Sequence, residues 1–114
     1  MTRERRHLPR LGLRFNVSYT IGGTKKQGTG VTTNVSGAGI RFTAEHHLDV
    51  GTPLDLRVAL PDRSQPIVCT GEVAWSRAVS AEQTEVGVRF VTIRPEDQRF
   101  LAQYALMYPD ASKE

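Results

Sequence analysis

The sequence predicts an all-β domain, a small six-stranded antiparallel barrel with one α-helix at its C-terminal end. Three observations carry that prediction. Apolar and polar residues alternate with a period of two in segment after segment between Leu11 and Phe90. The segments are short and separated by Gly, Pro, Asn and Ser turns, and the period changes to that of a helix only after Pro95. A chain of 114 residues holds one core and is too short for two. Its 39% hydrophobic and 7% aromatic content suits a folded, soluble domain without internal repeats.

The first strand has the longest alternation. Leu11, Leu13, Phe15, Val17, Tyr19 and Ile21 alternate with Gly12, Arg14, Asn16, Ser18 and Thr20, which gives one face to a core and the other to water. Gly22 to Lys26 supplies a turn whose glycines reach positive φ, and Gln27 to Val35, rich in Thr and Val, forms the second strand. Gly39 to Thr43 is a short third strand burying Ile40 and Phe42, followed by a loop from Ala44 to Thr52. Leu54, Leu56, Val58 and Leu60 make the fourth, closed by a proline-bracketed turn from Pro61 to Pro66. In the fifth, from Ile67 to Arg77, the residues Ile67, Cys69, Gly71, Val73 and Trp75 share a face, so Trp75 is expected to point inward. Val86, Val88 and Phe90 mark the sixth. Pro95 suits the first turn of a helix over about 95–108, Glu96 and Asp97 favour its positive end, and Phe100, Leu101, Tyr104 and Tyr108 form its apolar stripe before Pro109. The expected organisation is a flexible basic arm over 1–10, the barrel with its helix over 11–109, and a polar tail over 110–114.

No run approaches the roughly 20 apolar residues that span a bilayer, and no signal-peptide segment follows Met1, so a cytoplasmic location is expected. The lone cysteine, Cys69, sits among apolar residues and reads as a buried, inert thiol. The formal charge of +3 is modest, but four of the fifteen Lys and Arg residues fall in the first ten positions. A local cationic arm of that kind calls for an anionic partner.

Two stretches carry candidate chemistry. In Thr33-Asn34-Val35-Ser36-Gly37-Ala38-Gly39-Ile40, Asn34 and Ser36 offer short hydrogen-bonding side chains, while Gly37 and Gly39 allow close backbone approach; the same residue types also build ordinary hairpin turns. In Arg5-Arg6-His7-Leu8-Pro9-Arg10, Pro9 biases the arm toward an extended form. Guanidinium groups pair with phosphate, hydrogen-bond the O6 and N7 edge of guanine and stack on flat rings, so such an arm suits a purine nucleotide.

Taken together, Arg6-x-x-x-Arg10 and Asn34-x-Ser36-x-x-Gly39 resemble the paired RxxxR and [D/N]xSxxG motifs of the PilZ domain family. Gly39 to Phe42, Gly71 to Trp75 and Glu85 to Phe90 look like the family's strand signatures in order, and the resemblance covers roughly residues 5 to 108. It implies a PilZ-type barrel that binds the bacterial second messenger cyclic di-GMP, with Arg6 and Arg10 on phosphate and guanine, Asn34 and Ser36 hydrogen-bonding from the turn, and Gly39 leaving room. Asn34 stands where Asp is frequent, which removes a charge and is expected to tune affinity. Arg5 implies a second, intercalated ligand molecule, and Trp75 is a further candidate for contact with a guanine. Arg41 and Arg77 follow strand segments and can lend charge.

Enzymatic readings find little support. Ser36 lies in Val-Ser-Gly-Ala-Gly without the strand-turn-helix context of a nucleophile elbow, and Gly37-Ala38-Gly39 lacks the lysine of a phosphate loop. His46 and His47 have no Cys or carboxylate pattern to complete a metal site, so no metal or cofactor is expected besides the ligand. Two rivals remain: a single-stranded nucleic-acid binder, disfavoured because no pair of solvent-facing aromatics is evident, and a PilZ-like adaptor acting without ligand, disfavoured by the arginines. The expected function is a receptor whose arm folds over the barrel on binding and presents a new surface to an unidentified downstream protein.

Overall fold

The computed structural model describes residues 16–60 and 63–107. In chain order they form β1 (Asn16–Ile21), β2 (Gln27–Val35), β3 (Gly39–Ala44), β4 (Pro53–Val58), β5 (Ile67–Ala78), β6 (Thr84–Thr92) and α1 (Pro95–Met107). All pairings are antiparallel, and the strands close into a barrel in the order β1-β2-β3-β6-β5-β4. The predicted architecture is therefore the one the chain adopts. The predicted first half of the first strand, the basic arm and the polar tail lie outside the described residues.

The period-two pattern explains the core. Val17 and Tyr19 from β1, Phe42 from β3, Leu54, Leu56 and Val58 from β4, Ile67 and Val73 from β5 and Val86 from β6 all point inward and are buried. The turn between β1 and β2 uses Gly23 at φ 78°, as its sequence predicts, and the Thr24 hydroxyl donates to the Ile21 carbonyl at 2.8 Å. The α1 helix adds Leu101 and Tyr104 to the core, with Phe100 partly buried against it. Tyr108, the last residue of the predicted stripe, lies outside the described residues.

A polar contact fastens the start of α1. The Asp97 carboxylate is buried and accepts from Arg63 Nη1 at 3.0 Å, and the same guanidinium lies over the Phe100 ring at 5.0 Å. Sequence reading placed Asp97 only as a partner of the helix dipole. Near the other end of the chain, the Tyr19 hydroxyl and His46 Nδ1 are 2.7 Å apart, so this histidine is engaged by the barrel wall.

Cys69 is buried, and its thiol is pushed up to about 11, first by loss of hydration and then by the negative charge of Asp97. Because the thiolate is the reactive form, Cys69 is expected to resist iodoacetamide at pH 8 in the native protein and to react once urea unfolds it. Rapid native alkylation followed by mass spectrometry would contradict this. Among the described residues, no helix is long and apolar enough to cross a membrane.

Candidate functional site

Two bulges, one in β2 and one in β5, build the outer surface that matters here. In β2 the register with β3 runs Thr32↔Phe42 and then Asn34↔Arg41, so one residue is extra. Thr32 points into the core, and the bulge turns Asn34 to the outside where strict alternation would have buried it. In β5 the register with β6 runs Val73↔Val88 and then Trp75↔Gly87, leaving Ala74 extra. Val73 and Val88 are both core residues, and Gly87 is the outward-facing neighbour of Val88, so Trp75 also faces out.

The expectation of an inward Trp75 is thus corrected. The indole is 40% exposed and lies across β6, where a Cβ on Gly87 would collide with indole Nε1. At so close an approach the strand has room only for glycine beneath the ring. The two bulges bring Asn34, Arg41, Gly87 and Trp75 into one row across β2, β3, β6 and β5. A cavity of about 330 Å³ opens along that row and is also lined by Ser36, Gly39 and Arg89. That volume is at the lower end of the range for small-molecule sites, about 300–1,000 Å³.

The turn between β2 and β3 is held by its own groups. Ser36 Oγ accepts from the backbone N–H of Ala38 at 3.1 Å and of Gly39 at 3.3 Å, while Ser36 N–H donates to the Gly39 carbonyl at 2.9 Å. Ser36 therefore shapes the turn as well as lining the cavity. Phe90 N–H donates to the Ala38 carbonyl at 3.0 Å, and Gln98 Nε2 of α1 donates to the Gly37 carbonyl at 2.9 Å. The structure supplies its own reason for glycine at Gly39: a Cβ there would collide with the carbonyl oxygen of Val88 in the adjoining strand.

Charge on this face comes in coupled pairs. Arg89 donates to Glu72 at 2.5 Å, Arg41 Nε lies 3.8 Å from Glu85, and Arg77 also pairs with Glu85. In these pairs among the described residues, three guanidiniums meet two carboxylates, one positive charge more than negative on this face.

Of the residues singled out in the sequence, Asn34, Ser36, Gly39 and Trp75 line one cavity. Arg5, Arg6 and Arg10 lie outside the described residues. The β1 strand enters the barrel at Asn16 opposite Val31, three positions along β2 from Asn34. Sequence reasoning missed Arg89 and Gln98. Arg89 was legible as a polar position within the Glu85 to Phe90 strand signature but not as a site residue, and Gln98 as one more polar residue in the helix; only the register and the docking of α1 bring them to the turn.

The family model of the PilZ domain matches residues 4–106. The fold is similar to that of the Bacillus subtilis inhibitor of motility, MotI/DgrA, with a TM-score of 0.69 and 19% identity over 84% of this chain. The match takes in 47% of that protein, so this chain spans about half its length. It is also similar to the PilZ domain of Escherichia coli YcgR solved with cyclic di-GMP, with a TM-score of 0.62 and 12% identity over 87% of this chain and 85% of that one. No match was found among curated proteins.

Proposed function

The chain belongs to the PilZ domain family, and from that premise we propose that it is a receptor for cyclic di-GMP that relays the signal to a partner protein through its N-terminal arm. One observation carries the reading: the paired bulges turn Asn34 and Trp75 outward onto a single cavity with Ser36 and Arg89. The ligand combines flat purines with two phosphates. Trp75 offers a plate for a base, Asn34 and Ser36 offer short polar groups, and the strand arginines offer part of the charge. Arg6 and Arg10 supply the rest, since a dianion exceeds the single surplus charge on the barrel face. The structure of the YcgR PilZ domain with cyclic di-GMP supports the ligand class.

In this reading the arm closes over the ligand and becomes the surface a downstream protein meets. Arg5 serves a second, intercalated molecule. The resemblance in fold to an inhibitor of motility supports action through a partner protein, and a second reading is an adaptor that makes this contact independently of ligand.

Isothermal titration separates the two. Heat is expected with cyclic di-GMP, at two molecules per chain, and none with linear GMP or single-stranded DNA; no heat with the cyclic ligand leaves the adaptor. Arg6→Ala and Arg10→Ala are each expected to weaken binding by about 2 kcal/mol, the scale of a lost charge-assisted contact. Unchanged affinity in both variants would move the site off the arm, and saturation at one molecule would remove the role of Arg5.

A further inference from the structure

Arg89 occupies a position that neither motif describes. It lies two residues along β6 from Gly87, on the same outward side and about 7 Å from it. The Trp75 indole packs over Gly87, and with the residue 40% exposed part of the ring stays open to solvent. A base stacked on that open part would present an edge toward Arg89, which lines the same cavity. Arg89 is also held in place. Glu72, its register partner on β5, accepts from Nη2 at 2.5 Å.

We infer that Arg89, oriented by Glu72, selects guanine over adenine for the base stacked on Trp75. The inference rests on the cyclic dinucleotide reading above and adds which residue sets base identity. A guanidinium carries five N–H donors in a rigid fork, so bonding one nitrogen to Glu72 leaves donors for a ligand. Guanine presents two acceptors, O6 and N7, on one edge, and the fork matches both. Adenine keeps N7 but carries an amino donor where guanine has O6, so one donor of the fork meets another. Glu72 is a positioning residue here: its carboxylate keeps the long arginine side chain from sweeping over the surface. Arg41 is the competing candidate, since it lies on the same row, but its Nε faces Glu85, which also binds Arg77.

Titrations of the full chain with cyclic di-GMP, cyclic di-AMP and cyclic di-IMP test this. Hypoxanthine retains O6 and N7 and lacks only the 2-amino group. Wild-type protein is expected to bind cyclic di-IMP within about threefold of cyclic di-GMP and cyclic di-AMP at least about tenfold more weakly, the scale of one bidentate base contact. Arg89→Ala is expected to shrink the gap between the guanine and adenine ligands about tenfold, with thermal unfolding unchanged because the pair with Glu72 is exposed. Glu72→Gln is expected to lower the same preference by a smaller factor.

An unchanged ratio in Arg89→Ala, or equal weakening of all three ligands, overturns the inference while leaving the receptor reading in place. So does a wild-type protein that rejects cyclic di-IMP as it rejects cyclic di-AMP, or a preference that collapses in Arg41→Ala instead. Wild-type protein that binds none of the three removes the receptor reading, and the inference with it.

Discussion

Replacing Gly39 by alanine is expected to lower the stability of the barrel by about 3 kcal/mol, with no ligand present. Gly39 does not owe its identity to backbone conformation, since the described glycines with positive φ are Gly23 and Gly51. It owes it to contact: its Cβ would collide with the carbonyl of Val88. A flexible side chain could swing away, but a strand carbonyl cannot. Gly39 is paired with Arg89, and the bonds from Ser36 N–H at 2.9 Å and from Phe90 N–H to Ala38 at 3.0 Å fix the segment on both sides. Urea unfolding would read the loss, and thermal unfolding should fall by roughly 10 °C or more. Gly37→Ala is the control, because a Cβ there meets Ala102 at a tight but tolerable 3.3 Å. A Gly39→Ala protein of undiminished stability that fails to bind would assign this glycine to the ligand instead of the fold.

Asp97→Ala is expected to cost a similar amount, about 3 kcal/mol, by a different route. Its carboxylate is almost wholly buried against Arg63 at 3.0 Å. Removal leaves a half-buried guanidinium without its anion and takes a favourable negative charge from the first turn of α1. Arg63 keeps its contact over Phe100 and some access to water, which holds the cost at the lower end for a broken buried pair. Asp97→Asn, which retains an acceptor, should lose about half as much. The effect should also reach the site. Gln98, the next residue, donates to the Gly37 carbonyl at 2.9 Å, so a loosened helix start frees the turn that carries Ser36 and Gly39. Ligand affinity measured under conditions where the variant stays folded should fall, and unchanged affinity would uncouple helix from turn.

The sequence was most informative where period and burial agree. Tyr19, Phe42 and Leu56 could be placed in a core from alternation alone, because in a barrel each strand has one wet and one dry side. It failed at Trp75. A bulge adds a residue without leaving a polar or apolar signature, so counting by twos past Val73 assigns the indole to the wrong side. The same event in β2 went unnoticed because Asn34 reads as a turn residue on either side. Asp97 shows a second kind of limit. Its role depends on Arg63, which is distant in sequence and meets it only once the helix docks. The motif residues of the turn were legible as a group, yet Ser36 and Gly39 turn out to be explained in large part by the turn and strand they build. Arg89 and Gln98 required register and docking, which single-chain periodicity does not encode.

Trp75 is the protein's single tryptophan, and it lies at the mouth of the candidate cavity. Light absorbed at the red edge of the protein's near-ultraviolet band therefore reports from one place. The indole rests on a glycine in the barrel wall and is partly open to water. A planar ring laid on its exposed part would strip away water and shift the colour and yield of emission, whereas events at the far side of the barrel would leave both alone. The bulge that turns this side chain outward has thus given the molecule its own optical gauge, readable without a label.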